Sequence, residues 1–317
     1  MSALLLTYPG NEVLGDALCR ALGADAVRFE LRHFPDGETY VRIDSDVEDR
    51  AVAILCSLRD PDARFLPLVF LADTLRELGA RQVGLVAPYL AYMRQDRRFQ
   101  PGEALTSASF ARLLSARFDW LVTVDPHLHR RRSLREIYTI PAEVVQAAPL
   151  LTEWIRGHVT APLVIGPDAE SEQWVREVAE AVPCPFVVLE KTRRGDRDVE
   201  VSAIPDLDRW TDRTPVLIDD IISSAHTMVE AVRQLHERRE VGLAAPFCLG
   251  VHGVFAEAAY EALLLARPAR IVTTNSISHP TNAIDLSAVL AAPVRRRLSG
   301  GNDSKAIAAS AEMNDGE

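Results

Sequence analysis

Cysteine is scarce and scattered in this chain. Cys19, Cys56, Cys184 and Cys248 never fall into a C-x-x-C spacing, which excludes a zinc ribbon and a disulfide framework and leaves them as small core residues. No apolar stretch reaches the ~18 residues that a membrane helix needs, and no basic region precedes the short apolar run in MSALLLTYPG. The expectation is a soluble cytoplasmic protein without a membrane partner. Positive charge is in deficit too. A net charge of −10 argues against a general nucleic-acid-binding surface, so any anionic ligand must be met by local arginines. Lysine is nearly absent: of 35 basic residues only Lys191 and Lys305 are lysines. A GC-rich genome accounts for such a bias, yet the same bias marks Lys191 as a place where arginine does not serve, because the two differ in charge distribution and donor geometry.

What the chain has is length and apolar content. With 317 residues, 48% of them hydrophobic, it can bury more than one core, and two domains are expected. Short apolar runs at 3–7, 51–56, 82–87 and 120–124 alternate with amphipathic stretches at 11–22, 64–78 and 107–117, the pattern of strands alternating with helices in a parallel sheet. The alternation resumes after Pro141 with a helix over 149–158 and a strand over 163–165. The expected organisation is a first lobe over 1–145, a second over 146–298, and a polar tail over 299–317 with too little apolar content to order itself.

Chemistry concentrates in the stretch PVLIDDIISSAHTMV. A buried strand over 216–218 ends in Asp219 and Asp220, and a turn of small residues then leads into a helix. Ser223, Ser224, Ala225, His226 and Thr227 bring hydroxyls and backbone N–H groups to the helix start, where unpaired donors and the dipole favour a phosphate. The acids just upstream would repel that phosphate. They suit sugar hydroxyls or a magnesium held through water, so the two halves together fit a phosphorylated sugar. A strand ending in solvated acids followed by a serine cap is the plainer account of these residues taken alone.

Four other segments stand out. PDG within RHFPDGETYVRI marks a turn between strands. Arg94, Gln95 and Asp96, followed by Arg97 and Arg98, sit in a loop just after a strand, the sheet edge where ligands bind in open α/β folds. Asp125, His127 and His129 in DPHLH are metal ligands or merely a polar strand end. Lys191 and Arg193 open the charged run KTRRGDRD after a strand, which by itself reads as a solvated loop.

Taken in order, these segments resemble the phosphoribosyl pyrophosphate synthetase (ribose-phosphate diphosphokinase) family, nearest to its archaeal-type branch through RFQPGEALT. The resemblance covers the chain from Ala3 to about Pro293 and rests most firmly on P-Y-x-x-Y-x-R-Q-D-x-R. It implies ATP-binding roles for Phe34, Asp36, Gly37, Glu38, Arg94, Gln95 and Asp96, with Phe34 stacking on adenine across a subunit interface. It implies magnesium at His127 and Asp168, ribose 5-phosphate at Asp219, Asp220 and the 223–227 turn, and a mobile catalytic loop carrying Lys191 and Arg193. The sequence departs from the family pattern at Ser223, where many synthetases have aspartate, and at His226, where glycine is usual. Glu170 and Ser171 replace the glycines of P-D-x-G-G. A glycine there lets backbone approach a ligand, whereas Glu170 adds negative charge.

The fold so implied is α/β, with two phosphoribosyltransferase-like lobes, each a mostly parallel sheet flanked by helices, in a homo-oligomer. The activity implied is transfer of diphosphate from ATP to the 1-hydroxyl of ribose 5-phosphate. Asp219 or Asp220 accepts the hydroxyl proton, or coordination to magnesium removes the need. A phosphoribosyltransferase would need neither the adenine segments nor two lobes. A catalytically silent regulatory relative would keep the architecture, and the changes at Glu170, Ser171 and His226 point that way, whereas Lys191, Arg193 and His127 point to an enzyme.

Overall fold

In the computed structural model, residues 3–128, 130–166, 171–189, 191–193, 199–201, 207–237 and 243–300 are described. The first lobe begins with β1 (Leu4–Thr7), α1 (Glu12–Leu22) and the short β2 (Asp25–Ala26). An antiparallel pair follows, β3 (Phe29–His33) and β4 (Thr39–Ile43), and then β5 (Ala51–Leu55), α2 (Pro61–Glu77), β6 (Gln82–Ala87), α3 (Thr106–Ser115), β7 (Leu121–Val124) and β8 (Ala142–Val145). Its main sheet is wholly parallel in the order β2-β1-β5-β6-β7-β8.

The second lobe repeats the design. It runs through α4 (Ala148–His158), β9 (Pro162–Gly166), α5 (Glu172–Ala181) and β10 (Phe186–Val188), then an antiparallel pair, β11 (Lys191–Arg193) and β12 (Val199–Val201). β13 (Thr214–Ile222), α6 (His226–Glu237), β14 (Phe247–Gly253), α7 (Ala259–Leu265), β15 (Arg270–Thr274) and β16 (Asn282–Ile284) follow, and α8 (Ser287–Leu298) ends the described chain. The parallel order β10-β9-β13-β14-β15-β16 places each strand as in the first sheet. In both lobes the antiparallel pair is inserted between the second and third strands of the sheet.

Strands buried on both faces account for the apolar runs. In β1, Leu5 faces a core layer between the lobes, while Leu4 and Leu6 face the opposite side with α2 and α3. In β13, Val216 and Ile218 join the shared layer, while Leu217 packs against α6 and α7. That layer contains Leu5, Leu18 and Trp120 of the first lobe with Trp154, Val164 and Leu249 of the second. Close packing there needs Gly84, because a Cβ at that position would lie 1.9 Å from the Trp120 ring.

Several elements differ from the sequence expectation. β13 runs on through Asp219 and Asp220 to Ile222, because β14 continues to pair with it as far as Gly253. α6 opens at His226, inside the 223–227 segment that the sequence reading treats as the turn before the helix. α8 escapes the periodicity reading, since Pro293 interrupts SAVLAAPVRRRL. It packs on α1 and the first sheet although it follows the second lobe in sequence. No helix among the described residues is long and apolar enough to cross a membrane.

Candidate active site

The parallel sheets of both lobes carry their loops at the carboxyl ends of the strands, where open α/β folds bind ligands. Between these ends lies a cleft of about 590 Å³. Its walls bring together Arg94 after β6, His127 after β7, and Asp219, Asp220 and the 223–227 turn at the end of β13. Eleven residues singled out in the sequence, from segments far apart in the chain, therefore share one cavity: Arg94, Asp125, His127, Ser171, Asp219, Asp220 and the five residues 223–227.

The lobes are joined at the cleft floor by two histidines. His127 Nδ1 lies 2.6 Å from Asp220 Oδ2, both side chains being mostly buried. His252, fully buried on β14, reaches back to the first lobe: its Nε2 lies 3.1 Å from the Val124 carbonyl and 3.2 Å from that of Asp125. Ser276 Oγ sits 2.9 Å from its Nδ1. Burial lowers the His252 pKa to about 4, so the ring is neutral at physiological pH. It donates through Nε2 to the carbonyls and accepts from Ser276. Sequence reasoning missed His252, because a lone histidine within an apolar strand carries no pattern.

Asp125 is an acid held against its nature. Its Oδ2 accepts from the Ala147 N–H at 2.8 Å, at the start of α4, yet burial, with Asp220 and Glu177 nearby, raises its pKa to about 7. Asp125 and His127 both have positive φ, 32° and 55°, in the left-handed region that costs a side chain energy. Such strain at a strand end, with the His127 N–H closing a 2.9 Å bond to the Asp125 carbonyl, presents the imidazole to Asp220.

The 223–227 turn links the end of β13 to the start of α6, and its bend falls on Ala225. Ala225, not His226, takes the left-handed conformation, φ 57°. Its carbonyl accepts from the Val229 N–H at 2.8 Å. His226 is the first helical residue and exposed, so its own backbone conformation does not call for glycine. Ser223 and Ser224 precede the bend, with the Ser223 carbonyl held by the Ala256 N–H at 3.1 Å.

The remaining predicted residues lie elsewhere. Phe34, Asp36, Gly37 and Glu38 form the exposed tip of the β3–β4 pair, where Gly37 (φ 94°) and the Asp36 carboxylate, accepting from the Glu38 N–H, make the turn. Phe34 rests against Arg32 and Tyr40, away from the cleft lining. The Gln95 side chain accepts from Thr106 Oγ1 at 2.8 Å. Lys191 and Arg193 are strand residues of the β11–β12 pair, with side chains outside the described atoms. Asp168, Glu170 and His129 lie outside the described residues. Ser171, which replaces a family glycine, is described and lines the cleft. The sequence reading also passed over Phe99, Arg130, Trp174 and Glu177, all of which line the cleft.

The residues of 3–117 match the family profile described as the N-terminal domain of ribose phosphate pyrophosphokinase. Residues 133–279 match that of the phosphoribosyl transferase domain. The chain belongs to the ribose-phosphate pyrophosphokinase family. Within that family it is 35% identical to the ribose-phosphate pyrophosphokinase of Methanopyrus kandleri, over 90% of this chain and 96% of the relative. It is 32% identical to that of Sulfolobus acidocaldarius, over 86% and 92%. Both relatives are archaeal, in keeping with the branch that RFQPGEALT suggests. The crystal structure of phosphoribosylpyrophosphate synthetase from Mycobacterium smegmatis superposes with a TM-score of 0.80 at 23% identity, covering 95% of this chain and 100% of that one. The family's architecture of two phosphoribosyltransferase-like α/β domains is that of this chain.

Proposed function

We propose that the cleft binds ATP and ribose 5-phosphate side by side and transfers diphosphate from the nucleotide to the sugar. The observation that carries this reading is the His127–Asp220 contact of 2.6 Å, which brings the first lobe's nucleotide segment against the second lobe's sugar-phosphate turn. The ribose O1 attacks the β-phosphorus, the bond from that phosphorus to the α–β bridging oxygen breaks, AMP leaves and the hydroxyl proton is released. Phosphoryl-type transfer of this kind is achieved by positioning and charge neutralisation.

Each residue has a part. The 223–227 turn, at the positive end of the twelve-residue α6, holds the 5-phosphate. Asp219 and Asp220 accept from the ribose hydroxyls, a carboxylate offering about four acceptor sites. Arg94 and Gln95 hold the nucleotide. Lys191 and Arg193 neutralise charge on the transferred group. Phe34, outside its own cleft, reaches adenine only in a neighbouring subunit, which makes a homo-oligomer part of the proposal. The compartment that suits these substrates is the cytoplasm.

Magnesium fits the donor set. No cluster of three or more metal-ligating side chains occurs among the described residues, which suits an ion bound mainly by water and substrate oxygens with one or two protein ligands. With Asp220 accepting the Nδ1 proton, the carboxylate–histidine pair fixes the tautomer in which Nε2 of His127 is the metal-binding nitrogen. His127 and Asp168 would hold the ion, which supplies positive charge to the polyphosphate.

The test is AMP release from ATP, magnesium and ribose 5-phosphate. Wild type should form AMP together with the pentose diphosphate, and Lys191→Ala should lower kcat by about two orders of magnitude or more. Well-folded wild type that releases no sugar-dependent AMP with any pentose phosphate would instead identify a silent regulatory relative.

A further inference from the structure

The turn that presents His127 is held from outside its own strand. Asp125 and His127 both have positive φ, a conformation that persists in residues other than glycine only where the surroundings fix it. The Asp125 carboxylate accepts from the Ala147 N–H at the start of α4. Its carbonyl accepts from His252 of the second lobe, whose Nε2 lies 3.2 Å away and reaches the Val124 carbonyl at 3.1 Å as well.

The bonds around the His252 ring have one polarity. Carbonyl oxygens only accept, so Nε2 carries the proton and Nδ1 must itself accept. Its donor is Ser276 Oγ at 2.9 Å. The Val251 carbonyl, the other acceptor near that hydroxyl at 3.1 Å, is already met by Thr274 Oγ1 at 2.7 Å, which leaves the Ser276 proton for the ring. The bonds thus run in one direction, from the loop after β15 through β14 to the end of β7. Ser276 and His252 are each 1% exposed, and a buried polar network whose members are all satisfied specifies a single geometry.

Packing ties the same ring to a second segment of the first lobe. Tyr89, itself buried, stands edge to face against it with 5.1 Å between ring centroids. Tyr89 belongs to PYLAYMRQD, the stretch that carries Arg94. One side chain of the second lobe therefore touches both first-lobe segments that bring Arg94 and His127 to the cleft. His252 lies behind the cleft lining, so whatever it does for a ligand it does through its neighbours.

We propose that His252 is a positioning residue for the transfer: its Nε2–H, delivered by the second lobe, holds the Asp125–His127 turn so that the His127 imidazole meets Asp220. This rests on the reading that nucleotide and sugar phosphate react in this cleft. The experiment compares His252→Leu, His252→Gln and Ser276→Ala with wild type, with and without His127→Ala. It reads kcat for AMP release and, separately, the downfield proton NMR signal of His127 Nδ1–H bonded to the Asp220 carboxylate, assigned by its loss in His127→Ala.

A turn released by His252→Leu should misplace His127 and lower kcat by about tenfold to a hundredfold. His252→Gln, whose amide N–H reaches where Nε2 stood, should keep kcat within about threefold of wild type. Ser276→Ala leaves the donor in place but frees the ring, and should cost about threefold. Once His127 is alanine, His252→Leu should change kcat by less than about twofold, because residues that act as a unit are not additive. The His127 signal should vanish or move in His252→Leu and persist in His252→Gln. Should His252→Leu misfold, Ser276→Ala with and without His127→Ala makes the same comparison. An equal loss of kcat in the two backgrounds would reduce His252 to a packing residue, and a glutamine variant as poor as the leucine one would dismiss the Nε2 donor; either overturns the proposal. So does a His127 signal unmoved in His252→Leu. Wild type that forms no AMP would defeat the diphosphotransferase reading alone, while the His127 signal across the His252 variants would still judge the positioning.

Discussion

Two side chains at the cleft floor titrate in opposite senses over one range of pH. Asp125 has its pKa raised from 3.8 to about 7, first by burial and then by Asp220 and Glu177. The folded protein therefore holds that proton more tightly than the unfolded chain, and the resulting stability is full below pH 3.8 and lost as pH rises through 7. His252 has its pKa lowered from 6.5 to about 4 by burial. Its contribution is present above pH 6.5 and lost as pH falls through 4. The two are on the order of 4 and 3 kcal/mol respectively, so in the wild type they largely offset each other between the two limits. Single variants should expose them. Without magnesium, urea midpoints of Asp125→Asn should fall more steeply than those of wild type as pH drops from about 7 to 4.5. Those of His252→Gln should fall less, or rise. Parallel profiles for all three proteins would show that these groups do not titrate as their burial demands.

At the scale of elements, the turn between β13 and α6 shows what a sequence carries and what it leaves out. The order of strand, acids, small residues and helix is legible in VLIDDIISSAHT, because apolar content, caps and turn residues are local signals. The place of the backbone strain is not local. It falls on Ala225 rather than His226, since pairing of β13 as far as Ile222 and the start of α6 fix where the chain must bend. A buried Ala225 at φ 57° tolerates little more than its methyl. Ala225→Val, β-branched and left-handed, should cost about 2 kcal/mol or more in urea unfolding. His226→Ala, at an exposed helical position, should change stability by less than about 0.5 kcal/mol. Similar costs for the two would put the strain elsewhere. His252 was illegible for a related reason: it matters through a partner 128 residues away, and spacing carries no trace of such contacts.

For the whole molecule, the described chain starts in the first lobe and its last helix returns to it. α8 packs on α1 and the first sheet with Leu290 and Val294 fully buried. Arg295 donates to the Ala21 carbonyl at 2.5 Å, and Arg296 and Arg297 meet Glu143. The second lobe is thus an insertion between β8 and the helix that closes the first, and the core layer between the sheets belongs to both. A division at residue 145, natural in sequence order, would strip the first lobe of its covering helix and expose Leu14 and Leu18. The fragment 1–146 should fail to unfold cooperatively, and restoring 287–300 through a flexible linker should return a sigmoidal transition. In the full chain Leu290→Ala should cost about 3 kcal/mol and should lower the stability of both lobes together, because the cavity opens in their shared layer. Tryptophan is suitably placed to judge this, since Trp120 lies in the first lobe and Trp154 in the second, both in that layer. One transition reported alike by single-tryptophan variants at the two positions would establish mechanical unity. Two separate transitions, or a fragment 1–146 as stable as the intact chain, would show that each lobe closes its core without α8.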